Sequence, residues 1–151
     1  MSLSFWIQPR DWPPPGAGPA APRRPLVLFI EDDPAILEMY RMQLAADGLE
    51  VVTALEGGAG LAAARKRRPD LILLDLRLPG IDGLEVLTAL KGDPNLAEVS
   101  VVVLSNYGDP DMVRQGLRLG ATLYLLKSQT VPGELSRKIR ELLGRGSEQA
   151  D

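Results

Sequence analysis

The chain has 151 residues, 45% of them hydrophobic, 25% charged and 5% aromatic, the profile of one ordinary globular domain that can bury a core without disulfide or metal staples. Cysteine and histidine are both absent, which excludes thiolate zinc sites, cysteine nucleophiles, Ser-His-Asp triads, HExxH zinc helices and any phosphohistidine within the chain. The net charge of −3 is unevenly placed: Arg10, Arg23 and Arg24 against Asp11 give residues 1–25 a charge of +2 and leave −5 for the rest, which speaks against a nucleic-acid-binding face.

Residues 1–25 read as an arm. Seven of the 13 prolines fall there, with Gly16 and Gly18, a composition that favours extended backbone and builds no core. Both tryptophans, Trp6 and Trp12, also lie there beside Phe5, and such large apolar side chains are expected to dock in a groove rather than serve a plain linker. Met1–Leu3 reads as an expression remnant. No basic leader precedes an apolar stretch, and no apolar run approaches the ~20 residues of a membrane helix, so a cytoplasmic protein without membrane contact is expected.

From Leu26 the pattern alternates. Leu26–Ile30 is a continuous apolar run that ends on Glu31, Asp32 and Asp33. Pro34–Ala46 carries Ile36, Leu37, Tyr40 and Leu44 at helical spacing, with Asp33-Pro34 as cap and first turn and Gly48 as the close. Val51–Leu55 is a strand, Leu61–Arg68 an alanine-rich helix whose basic end suits the helix dipole, and Leu71–Asp75 a strand before the Pro79-Gly80 turn. Asp82-Gly83 reads as turn and cap, followed by a helix over Glu85–Leu90. Then come a strand over Val99–Ser105, a helix over Asp109–Leu119 capped by Asp109-Pro110, a strand over Thr122–Leu126 and an amphipathic helix over Glu134–Leu143. Five apolar strands alternating with five helices predict an α/β fold with a parallel sheet covered on both faces. The division expected is an arm over 1–25, one domain over 26–146 and a tail over 147–151.

Ligands of such sheets bind beyond the carboxyl ends of the strands. Those ends supply Glu31 and Asp32, then Asp75, Ser105 and Lys127, while Glu56-Gly57-Gly58 after the second strand adds little. Carboxylates gathered there repel one another unless a cation sits among them. A hard divalent ion, Mg²⁺ above others, fits oxygen donors of this kind. Lys127 adds a point charge suited to a phosphate or carboxylate.

The segments FIEDD (29–33), LILLDLRLPGIDGLEVL (71–87), VVVLSN (101–106) and GATLYLLK (120–127) resemble the receiver domain of two-component response regulators, the CheY-like superfamily, across Leu26–Leu143. The resemblance implies a doubly wound, flavodoxin-like five-stranded parallel sheet of order 2-1-3-4-5. It implies that Asp75 is the phospho-acceptor, that Asp32, Asp75 and the Arg77 backbone carbonyl hold Mg²⁺ with Glu31 acting through water, and that Ser105 and Lys127 stabilise the phosphoryl group. Tyr124 then stands at the switch position together with Ser105. The donor is a histidine kinase or phosphotransfer protein, since this chain has no histidine of its own. Catalysis is limited to the receiver's own phosphorylation and dephosphorylation.

Two departures stand out. Ser128 follows Lys127 where the family usually has proline, which leaves the path of residues 127–131 open and makes a cis bond there unexpected. Arg77 and Tyr107 lie two residues beyond Asp75 and Ser105, and both are bulky, so they are expected to screen the attacking water and lengthen the phosphorylated lifetime. Two other classes are weighed: a receiver-like interaction module that works without phosphorylation, and a phospho-aspartate phosphatase of the haloacid-dehalogenase type, disfavoured because Arg77 stands where that class has its second aspartate. Only about eight residues follow the last helix, too few for an effector domain. A downstream protein target is therefore expected, with no direct DNA binding by this chain. A homodimer is conceivable through the fourth helix, fifth strand and fifth helix, or through the arm.

Overall fold

Side chains alternate across a strand, so a run apolar at every position can serve only a sheet covered on both faces. The computed structural model describes residues 23–150, and the docking expected of Phe5, Trp6 and Trp12 falls outside the described residues. Elements alternate without exception: β1 (Leu26–Ile30), α1 (Pro34–Ala46), β2 (Glu50–Ala54), α2 (Gly57–Arg67), β3 (Leu71–Leu74), α3 (Gly83–Gly92), β4 (Ser100–Ser105), α4 (Pro110–Arg118), β5 (Leu123–Leu126) and α5 (Pro132–Ala150). The strands form one parallel sheet in the order β2-β1-β3-β4-β5, as expected.

Leu28, Ile30, Ile72, Leu74, Val101 and Val103 face one way, onto Leu61 and Ala64 of α2 and Val86, Leu87 and Leu90 of α3. Val27, Phe29, Leu71, Leu73, Val102 and Leu104 face the other way, onto Tyr40 and Leu44 of α1 and Leu135 and Ile139 of α5. Every residue of β1 and β3 is buried, whereas β5 at the sheet edge is only half-buried. The chain thus winds outward in both directions from β1 and β3, and a crevice opens between their carboxyl ends where the winding reverses.

The caps are where the sequence puts them. The Asp33 carboxylate accepts from the Ala35 and Ile36 N–H groups at 2.9 and 3.3 Å, Asp82 from Glu85 at 3.1 Å, and Asp109 from Met112 at 2.9 Å. Several boundaries differ. β2 starts one residue early and leaves Leu55 outside it, half exposed. α2 begins at Gly57, four residues before the expected start. Gly57 is used for close approach rather than for a turn: a Cβ there would lie 2.5 Å from the Ile81 carbonyl oxygen. α5 extends to Ala150, well beyond Leu143 and past the expected boundary at 146.

Candidate functional site

Register brings the acids together. Ile30 pairs with Leu74 across β1 and β3, and the Asp75 N–H donates to the Ile30 carbonyl at 3.0 Å, so the first residues beyond the two strands stand side by side. Glu31 is fully buried, Asp75 is 5% exposed and Asp32 faces solvent. One carboxylate oxygen from each of Glu31, Asp32 and Asp75 lies within 4.8 Å of the others.

Lys127 arrives from the far edge of the sheet, at the end of β5 and the start of a single 3-10 turn, Lys127–Gln129. Its ammonium lies 2.5 Å from Glu31 Oε1 and 3.1 Å from Asp75 Oδ2. The other oxygens are held by backbone: Asp32 N–H donates to Glu31 Oε2 at 3.1 Å, and Arg77 N–H to Asp75 Oδ1 at 3.2 Å. Burial, reinforced by the neighbouring Asp75, pushes the Glu31 carboxyl up to about 8 despite Lys127. Burial works against the charge on Lys127 as well, yet its contacts with Glu31 and Asp75 outweigh it and hold the ammonium above the usual lysine range. Three carboxyl groups thus share a single ammonium in this cluster. An all-oxygen set with one solvent-facing member suits a hard divalent cation, whose charge would also favour the ionised form of Glu31.

The neighbouring strand end carries a second group of contacts. Ser105 is fully buried, and its hydroxyl accepts the Tyr107 N–H at 3.0 Å. The Arg77 guanidinium sits over the Tyr107 ring, 4.1 Å from its centroid, within cation–π range. The Tyr124 hydroxyl donates to the Tyr107 carbonyl, while its ring lies under α4, 3.1 Å from where a Cβ on Gly116 would be. Tyr107 therefore ties Ser105, Arg77 and Tyr124 together through its N–H, ring and carbonyl. A cleft of about 470 Å³ opens beside Asp32, lined also by Arg77, Pro79, Asp82 and Met112.

The structure joins Glu31, Asp32, Asp75 and Lys127 directly, and it groups Ser105, Tyr107, Tyr124 and Arg77 around Tyr107. The path left open by Ser128 is now defined: residues 127–129 make the 3-10 turn and Thr130 leaves it in extended conformation. One contact escaped the sequence. Tyr40, read there as an apolar position of α1, donates its buried hydroxyl to the Thr130 carbonyl at 2.9 Å. The available signal was a tyrosine among leucines, whose polar tip needs a partner when buried.

Comparison with known proteins places the chain in a family. The family described as response regulator receiver domain matches residues 27–140, and the chain belongs to that family: it is a phosphorylation-switched receiver of two-component signalling. It is 40% identical over 121 residues to the DNA-binding dual master transcriptional regulator RpaA of Synechocystis sp., a match covering 80% of this chain and 50% of that protein. It is 36% identical over 126 residues to the DNA-binding response regulator MtrA of Mycolicibacterium smegmatis, covering 83% of this chain and 54% of that protein. Among solved structures, the chemotaxis response regulator CheY4 of Vibrio cholerae superposes with a TM-score of 0.74 at 28% identity, covering 79% of this chain and 98% of that one. The chain spans about half the length of the curated relatives it matches.

These relatives correct the expectation about partners. An exclusion of DNA does not stand, because proteins sharing the matched region are themselves DNA-binding regulators. The acidic charge describes the receiver surface alone and carries no information on the half of those proteins that this chain does not span. Among the described residues no helix is long and apolar enough to cross a membrane.

Proposed function

We propose that Asp75 accepts the phosphoryl group, with Mg²⁺ held by Asp32, Asp75 and the Arg77 carbonyl and by Glu31 through water. The observation that carries the reading is the convergence of Glu31, Asp32 and Asp75 within 4.8 Å beside Lys127. In the transfer, an Asp75 oxygen attacks the phosphorus of a phosphohistidine, the new P–O bond forms as the P–N bond breaks, and the P–N electron pair returns to the imidazole nitrogen. Mg²⁺, when bound, neutralises charge on the transferring oxygens. Lys127 stays beside Asp75 as the second positive charge and trades its ion pair with the carboxylate for one with the phosphoryl group. Ser105 hydrogen-bonds that group once its hydroxyl turns from the Tyr107 N–H, and Tyr124 follows as the switch. Arg77 and Tyr107, stacked over the edge of the site, restrict the approach of water and so tune the phosphorylated lifetime.

The unit that does this is read as beginning at residue 26, with 1–25 as an arm and its last helix running to Ala150 where a tail from 147 was expected, and as working in the cytoplasm. Its chemistry goes no further than gaining and losing its own phosphoryl group. Intact-mass measurement after incubation with acetyl phosphate tests the reading. Mg²⁺-dependent gain of one phosphoryl group, lost in Asp75→Asn, is expected; equal gain by that variant contradicts the assignment.

A further inference from the structure

The Lys127 ammonium spans Glu31 and Asp75 only while the backbone that launches its stem stays within reach of both. That backbone lies at an exposed edge of the fold. β5 has a single strand neighbour, β4, and is half-buried. The 3-10 turn that follows is closed by a long Thr130 N–H to Lys127 carbonyl bond of 3.5 Å, too long to fix a turn by itself. Val131, next in the chain, is 64% exposed.

The firm tie comes from elsewhere. Tyr40 on α1 is 2% exposed, and its hydroxyl donates to the Thr130 carbonyl at 2.9 Å across 90 residues of chain. Its ring packs against Phe29 with centroids 6.0 Å apart, and Phe29 lies on β1 two residues before Glu31. Tyr40 therefore touches both sides of the site: the strand that delivers Glu31 and Asp32, and the turn that delivers Lys127. α1 is a fixed reference for this purpose, because Ser136 of α5 donates to Asp47 at 2.5 Å and Gln43 donates to the same carboxylate at 3.0 Å. Packing alone would be served by leucine, as at Leu37 and Leu44; the hydroxyl has work only at Thr130.

We infer that Tyr40 is a positioning residue for phosphoryl transfer, its hydroxyl setting the distance between the Lys127 ammonium and the Glu31–Asp75 carboxylates. The inference rests on the reading of Asp75 as acceptor.

The test compares wild type, Tyr40→Phe, Tyr40→Leu and the core control Leu44→Val, each checked for folding by thermal melting. The rate of phosphorylation by acetyl phosphate at saturating Mg²⁺ and the Mg²⁺ affinity by calorimetric titration are measured well below melting. Both Tyr40 variants are expected to slow phosphorylation by about tenfold, because misplacing a catalytic group by a fraction of an ångström carries penalties of that order. Their Mg²⁺ affinity stays within about twofold of wild type, since the metal ligands lie on β1 and β3 and not on the turn. Leu44→Val loses stability and keeps its rate. A wild-type rate in Tyr40→Phe, equal slowing in Leu44→Val, or loss of Mg²⁺ affinity in step with rate each overturns the positioning role. A wild-type chain that gains no phosphoryl group overturns the acceptor reading itself, and that result is seen before any variant is compared.

Discussion

Glu31 shows at the scale of one residue how the site trades stability for charge. Its carboxyl is held up at about 8 against an ordinary 4.5, so the folded chain keeps this proton through a range where the unfolded chain has lost it. The unfolded state binds fewer protons between those values, and stability falls as pH rises from about 4.5 to about 8. Lys127, shifted upward from 10.5, contributes fully below that value and does not alter this window. Metal-free protein is therefore expected to melt at progressively lower temperature across that range, with the slope flattened by Glu31→Gln and by Mg²⁺; an unchanged slope in the variant contradicts the account. Arg77 and Tyr107 act at the same scale. With the guanidinium 4.1 Å over the ring, the pair is proposed to shield a phosphoryl group on Asp75 from water, and replacing both by alanine is expected to speed loss of phosphate. A decay rate equal to wild type would remove them from the mechanism.

The elements divide into a rigid cradle and a loosely held edge. α3 starts hard against the strand end that carries Asp75: a Cβ on Gly83 would lie 2.3 Å from Leu76 Cα and 2.5 Å from the Asp75 carbonyl oxygen. Backbone has to move to admit it, so Gly83→Ala should cost about 2 kcal/mol in denaturant unfolding and slow phosphorylation, whereas Asp82→Ala should lose about 1 kcal/mol of capping with little change in rate. α4 is the opposite case. Its single fully buried residue is Gly116, and the strand beneath it is half-buried, the conditions for easy local opening. Amide hydrogen exchange should accordingly be faster in α4 than in α1, which buries Leu37, Tyr40 and Leu44; equal protection would argue against α4 as the mobile element. The same contrast explains what the sequence revealed. The caps at Asp33, Asp82 and Asp109 are local chemistry and were readable from adjacent residues. The first turn of α2 was not, because Gly57-Gly58 has poor helix propensity and Gly57 is present for its fit against Ile81, a contact between distant parts of the chain.

For the whole molecule, the apolar strands dictated the doubly wound sheet, and the strand ends named Glu31, Asp32, Asp75 and Lys127 because one topology carries all of those ends to one edge. What stayed illegible is what depends on side-chain direction. Arg77 over Tyr107 and Tyr40 on Thr130 join residues 30 and 90 positions apart, with no periodicity to announce them. Tyr107 links Ser105 to α4, since its N–H donates to the Ser105 hydroxyl and its carbonyl accepts from Tyr124 beneath α4. If phosphorylation draws Ser105 away, Tyr107 and Tyr124 must rearrange with it. Backbone amide NMR of the chain before and after Mg²⁺ and acetyl phosphate addresses this most directly, with Asp75→Asn alongside. The account predicts large shifts at Ser105–Gly108, at Tyr124 and through α4, absent in the variant; shifts confined to Glu31, Asp32 and Asp75, or the same α4 shifts in Asp75→Asn, would contradict it.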